Sequence, residues 1–269
     1  MKKATIACIA FFLFVIGIWM IAFPETLLKE FIEGSLQNDT LYLQSDGLKK
    51  GPFYRFSAER IVLKKATPGG GSGDELLVFQ DVHFWLNFAS LLRLNPEVGF
   101  RCKLNQGDIV GVIPVAGARG AWIEGTNIHI QEIPSLDSIG IKGEGTLTAR
   151  LVVNKKGGEI TLSVADARLK NTSLGGVFLP LELFHVIKGA AEMSNGTITV
   201  RSFTLEGRGV YARIKGNTRG RDLNMNFEFM VDSSFPSMTV LSLIEQYKVS
   251  PGYYVIPLRG LLLSEGGNS

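Results

Sequence analysis

From about residue 40 almost to the end of the chain, apolar side chains recur at every second position, a pattern that only an extended chain can gather onto one face. In residues 141–153, Ile141, Gly143, Gly145, Leu147, Ala149, Leu151 and Val153 alternate with Lys142, Glu144, Thr146, Thr148, Arg150 and Val152. Such a strand has one dry and one wet face, as in an antiparallel sheet covered on a single side. The same rhythm sets Leu223, Met225, Phe227, Phe229 and Val231 against Asp222, Asn224, Asn226, Glu228 and Met230, and sets Val98, Phe100, Cys102 and Leu104 against Gly99, Arg101 and Lys103. Turn-forming residues at 154–158, 194–196 and 217–220 separate these runs by the few positions a hairpin needs. The expectation is a mainly β chain: a curved, largely antiparallel sheet, either an open sandwich or a groove, with a few short helices.

Two runs change phase. Ile160, Leu162 and Val164 give way to Ala167 and Leu169, and Ile198 and Val200 give way to Phe203 and Leu205. A period of two forbids that in a regular strand, so each shift predicts a β-bulge or a change of sheet. Short helices are expected at 89–94, 180–188 and 238–247. Segments 141–188 and 198–247 share one layout, two alternating runs and then a short helix, a weak internal repeat compatible with two similar lobes. The glycine-rich stretch 67–74 reads as a long hairpin loop, with a domain boundary as the alternative.

Ahead of the β-rich body, Ala4 and Phe23 bound 20 residues without a charge. As a helix this run is about 30 Å long, the thickness of a bilayer's hydrocarbon core. Lys2 and Lys3 precede it and Glu25, Lys29, Glu30 and Glu33 follow, so the positive-inside rule puts the N-terminus in the cytoplasm. The rival is a cleaved signal peptide, but the run exceeds the usual apolar region and ends in Ile21-Ala22-Phe23-Pro24 rather than small residues. The expected organisation is an anchor over 1–23, an amphipathic juxtamembrane helix over 24–39 carrying Leu27, Leu28, Phe31, Ile32 and Leu36, and a β-rich domain over 40–269. Packing of that helix against the body is favoured over the bilayer surface, because its charged face lacks the basic residues of interfacial helices.

Lys2 and Lys3 belong to a total of 28 Lys and Arg against 25 Asp and Glu, so the body is nearly neutral and nothing points to nucleic acid. His83, His129 and His185 are scattered, and neither a CxxC nor an HxxxH spacing occurs. The Gly-rich stretches lack the contexts of a P-loop or a dinucleotide fingerprint, and no GxSxG is present. Cys102 has no second thiol beyond the apolar run to pair with. The chain is therefore expected to be no enzyme, with no catalytic residues, metal or cofactor.

The apolar run ending in Phe23-Pro24, the amphipathic Leu27-Leu28-Lys29-Glu30-Phe31-Ile32 and the β-rich body together resemble the type II secretion system protein N family, also called general secretion pathway protein N. The likeness is closest in Gly196-Thr-Ile-Thr-Val-Arg-Ser-Phe-Thr-Leu-Glu-Gly207, Ala212-Arg-Ile-Lys-Gly216 and Leu223-Asn-Met-Asn-Phe227, a rhythm shared with AsmA-like envelope proteins. Pro257-Leu-Arg-Gly260-Leu looks like that family's closing strand. The resemblance implies a bacterial inner-membrane protein with its bulk in the periplasm, a non-catalytic scaffold that binds other components of the secretion platform. The alternative it implies is an AsmA-like lipid-binding or lipid-transfer groove, with phospholipid as partner. Its candidate apolar lining is Leu147, Leu151, Phe227, Phe229 and Val231, and an ordinary packed core is the competing account of those residues.

Overall fold

The structure is a computed structural model that describes residues 25–35, 41–52, 54–65, 75–87, 90, 95–114, 120–138, 140–174, 177–220, 222–235 and 237–261. The chain is mainly β and its sheet pairings are antiparallel. It divides into two compact units between Arg119 and Gly120. The apolar run 4–23 lies outside the described residues, as do 66–74 and all but Ser90 of the expected helix at 89–94. Among the described residues no helix is long and apolar enough to cross a membrane.

The first unit holds helix α1 (Glu25–Ser35) and strands β1 (Leu41–Asp46), β2 (Lys49–Gly51), β3 (Arg55–Lys65), β4 (Glu75–Leu86), β5 (Glu97–Leu104) and β6 (Gly107–Pro114). They are ordered β1-β3-β4-β5-β6, with the short β2 also paired to β3. The alternation read in β5 buries Cys102 and Leu104 and exposes Arg101 and Lys103. Cys102 packs with Ala58, Ile61 and Val82, and Phe84, Phe100 and Ile109 border them. Burial in this apolar cluster pushes the Cys102 thiol up to about 11.

Of the helix expected at 24–39, Glu25–Ser35 is helical as α1 while residues 24 and 36–39 lie outside the described residues, and α1 is tied to the sheet at Ser45. One Glu33 carboxylate oxygen accepts from the Ser45 N–H at 2.8 Å and from its hydroxyl at 3.0 Å, while Ser45 is only 1% exposed. A bare edge strand would leave that N–H without a partner, so the contact both caps the edge and fixes the helix. At the other end of α1, Glu25 accepts from the backbone N–H of Lys50 at 3.1 Å.

The second unit is a meander of β7 (Ala121–His129), β8 (Gly143–Asn154), β9 (Gly157–Leu169), β12 (Phe184–Ser194), β13 (Thr197–Gly207), β14 (Val210–Arg219), β15 (Asp222–Val231) and β17 (Tyr253–Leu261), with β16 (Lys248–Ser250) at its edge. A separate hairpin, β10 (Thr172–Leu174) and β11 (Val177–Leu179), interrupts the sequence. Segments 141–188 and 198–247 both contribute strands to this one sheet. Both phase shifts are bulges. Asp166 adopts a left-handed backbone (φ 52°) where the β8–β9 register slips, and the β13 register slips against both of its neighbours between Val200 and Phe203.

The 180–188 expectation needs correction. A single 3-10 turn, Leu181–Leu183, follows Pro180, and Phe184 then opens β12. The period explains the error: Leu179, Leu181, Phe184 and Ile187 suit a helical stripe, but pairing of β12 with both β9 and β13 wins. The expected helix at 238–247 is present as α3 (Met238–Ile244) followed by one 3-10 turn, with the Ser237 hydroxyl capping the Val240 N–H. A 3-10 turn at Ile130–Glu132 and the short helix α2 (Pro134–Ser138) carry no periodic signal and went unread in the sequence.

Candidate functional site

Pairing register converts the alternation of single strands into rows that cross the second unit. Residues directly opposite one another in an antiparallel sheet point to the same face. One row runs Ile128, Leu147, Val164, Ile187, Leu205, Ala212, Phe229 and Tyr254. Four positions further along each strand, or five where a bulge intervenes, lies another, Ile123, Leu151, Ile160, Ala191, Val200, Gly216, Met225 and Leu258. Every member of both rows is apolar or glycine, so the dry face spans eight strands without a polar interruption at these levels.

The two rows are covered differently. In the first, Val164, Ile187, Leu205, Ala212 and Phe229 are all buried, because the connections between strands fold back over them. Ile130 from the 3-10 turn, Leu179 from β11, Leu181 from the turn before β12, and Val240 and Ile244 from α3 join Phe184, Phe227 and Phe229 in one core. Phe184 and Phe229 meet edge to face with centroids 6.2 Å apart, and Phe235 and Tyr254 contact Phe229 in the same manner. In the second row, Ile123, Leu151, Ile160, Ala191 and Val200 are only half-buried, and so are Val153, Met193 and Ile198 beyond them.

The five candidate lining residues all belong to this face, yet they do not form one pocket. Phe227 and Phe229 are 0% exposed and offer no surface to a ligand. Leu147 and Val231 are half-buried and pack on the rim of the same core. Leu151 alone sits in the uncovered strip, and five strand spacings, about 24 Å, separate β8 from β15. The strip residues Ile123, Ile160, Val200 and Ile198 were not among the expected lining, since only the register places them in one strip with Leu151.

The wet face carries cross-strand ion pairs, among them Arg213 with Glu228 at 2.6 Å, Arg201 with Glu192, and Lys215 with Glu228 at 3.9 Å. The hydrogen bond to Glu228 raises the Arg213 pKa further. His83 and His185 are exposed and His129 is half-buried. Among the described residues no group of three or more His, Cys, Asp and Glu is placed to hold a metal ion.

Among the described residues of the first unit, two surface cavities stand out. One, of about 310 Å³, is lined by Glu25, Thr26 and Lys29 of α1 and by residues 45–48. The other, of about 400 Å³, is lined by Gly51, Arg55, Phe56, Ser57, His83, Phe84 and Trp85. There Trp85 stands opposite Arg55 on one side and Gly99 on the other, and a Cβ at Gly99 would collide with its indole. Phe56 and Phe84 stack with centroids 4.5 Å apart. Beside it, the hydrogen bond and charge between Lys49 and Glu59 raise the lysine pKa and lower the glutamate's.

These features define a class: a mainly β protein built on antiparallel meanders, with one apolar sheet face that is sealed along part of its width. No protein-family model, curated protein or solved structure matches the chain.

Proposed function

We propose that this chain is a non-catalytic, inner-membrane-anchored periplasmic component of the type II protein secretion system, acting as a scaffold for other parts of the secretion platform. The observation that carries the reading is where the family-like segments fall. Residues 196–231 form β13, β14 and β15 in succession, and the closing segment from Pro257 lies in β17, hydrogen-bonded beside β15. The segments with the resemblance therefore lie on four adjacent strands, β13, β14, β15 and β17, a contiguous unit of one sheet. The α1 helix supports it too, since the Glu33–Ser45 contacts would hold the domain at a fixed distance from an anchor over residues 4–23.

The test is a photo-crosslinking residue at exposed Thr199 or Arg201 on the wet face, read together with a secretion assay in a strain lacking the chain. A crosslink to an inner-membrane secretion component, with secreted enzyme held in the periplasm of the deletion strain, supports the scaffold. Normal secretion without the chain, and no such crosslink, sinks it.

A second reading has its own support: a curved, open β-groove that binds lipid. The strip from Ile123 to Val200 crosses five strands, about 20 Å, and is apolar and partly open. That length suits an acyl chain lying across the strands. Phospholipid that co-purifies with the full chain and is lost in Leu151→Asp and Ile160→Asp, both still folded, would favour this reading.

A further inference from the structure

We infer that the β2–β4 end of the first unit is a membrane-facing site for the phosphate head of an anionic phospholipid, seated in the cavity between Arg55, Ser57, His83 and Trp85. The inference rests on residues 4–23 spanning the bilayer, as proposed above.

Chain geometry supplies the first argument. Phe23 is two residues before Glu25, and Glu25 holds the backbone N–H of Lys50 at 3.1 Å. Gly51, the next residue, already lines the cavity. Two extended residues span at most about 7 Å, so the cavity rim lies within about 20 Å of the end of the apolar run. The second tie at Glu33–Ser45 keeps α1 from swinging the unit away. The interfacial layer on each side of the hydrocarbon core is about 5–8 Å thick, and a tether this short lets the rim reach it.

The second argument is chemical. Register puts Gly51, Arg55 and Trp85 in one row across β2, β3 and β4, and Ser57 and His83 in the next, all on one face. Two neighbouring cations are occupied, Lys49 by Glu59 at 2.7 Å and Arg101 by Asp108 at 3.1 Å. Arg55 is exposed and among the described residues has no carboxylate partner. A planar guanidinium with unfilled donors beside a hydroxyl suits a phosphodiester. Trp85, 37% exposed and braced over Gly99, presents an indole of the kind enriched at membrane interfaces.

The experiment uses the full chain in nanodiscs of phosphatidylcholine alone or mixed with phosphatidylglycerol, read by hydrogen exchange over residues 51–57 and 83–86. Exchange there should be about fivefold slower in the anionic discs, the scale of one basic side chain at an anionic surface. Arg55→Glu should abolish that difference, and Arg55→Gln should reduce it. Lys156→Glu, in the β8–β9 turn of the other unit, should leave it intact. Equal exchange in the two discs, or slowing that survives Arg55→Glu, overturns the site while leaving the anchor standing. A chain that does not co-elute with either disc overturns the anchor and this inference together.

Discussion

The two ends of one apolar face contrast sharply. At the end holding Phe184, Phe227 and Phe229, helix α3, the β10–β11 hairpin and the 3-10 turns cover the sheet, and side chains reach 0–1% exposure. At the end holding Leu151, Ile160 and Val200, the same alternation, strand spacing and kinds of residue remain only half-buried. What distinguishes a core from a surface strip here is not the strand but whatever the connections place above it. The covered end sets stability, and the open end is free for other work.

The largest effect should come from the covered end. Phe229→Ala removes an aromatic with four ring neighbours and should cost about 3–5 kcal/mol in urea unfolding. Leu151→Ala, from the open strip, should cost about 1 kcal/mol or less, because little buried surface is lost. Equal losses would erase the contrast between the two ends. Next is Gly216→Ala. Gly216 has φ 140° and a Cβ there would collide with the Asn224 carbonyl, so about 1–3 kcal/mol should be lost by the same assay although the residue lies in the half-buried row.

Cys102 tests the core of the first unit through pH. Burial raises its thiol from an ordinary 9.0 to about 11, so in that window the unfolded chain has released the proton and the folded chain still holds it. Stability present below pH 9 should therefore fall as pH rises to 11, by about 2–3 kcal/mol, and Cys102→Ala should remove that part of the slope. A comparably small and local effect is expected of Glu33→Gln. A neutral amide oxygen can still accept from Ser45, so the cost should be about 1 kcal/mol, seen as faster hydrogen exchange in α1 with the global unfolding midpoint unchanged.

Much of the fold was legible in the chain. The runs at 141–153, 98–104 and 222–231 are strands with the faces expected of them, and both phase shifts are bulges. The 180–188 stretch misled because apolar spacing over so short a span satisfies a helix and a strand equally, and long-range pairing decided between them. The candidate lining was legible only as a set of residues on one face. Phe229 and Leu151 obey the same alternation, and no local pattern separates the sealed residue from the half-open one.

By itself, then, the order of side chains determined the strands, the dry face, most of the turns and a nearly neutral surface, because these depend on neighbours two or three residues apart. Tertiary structure alone decided which strands lie side by side, hence which apolar residues form a row, and where α3 and the β10–β11 hairpin seal it. It also brought Glu25 to Lys50 and Arg55 to Trp85. Those contacts join residues 25 and 30 positions apart, and only the folded backbone sets such distances.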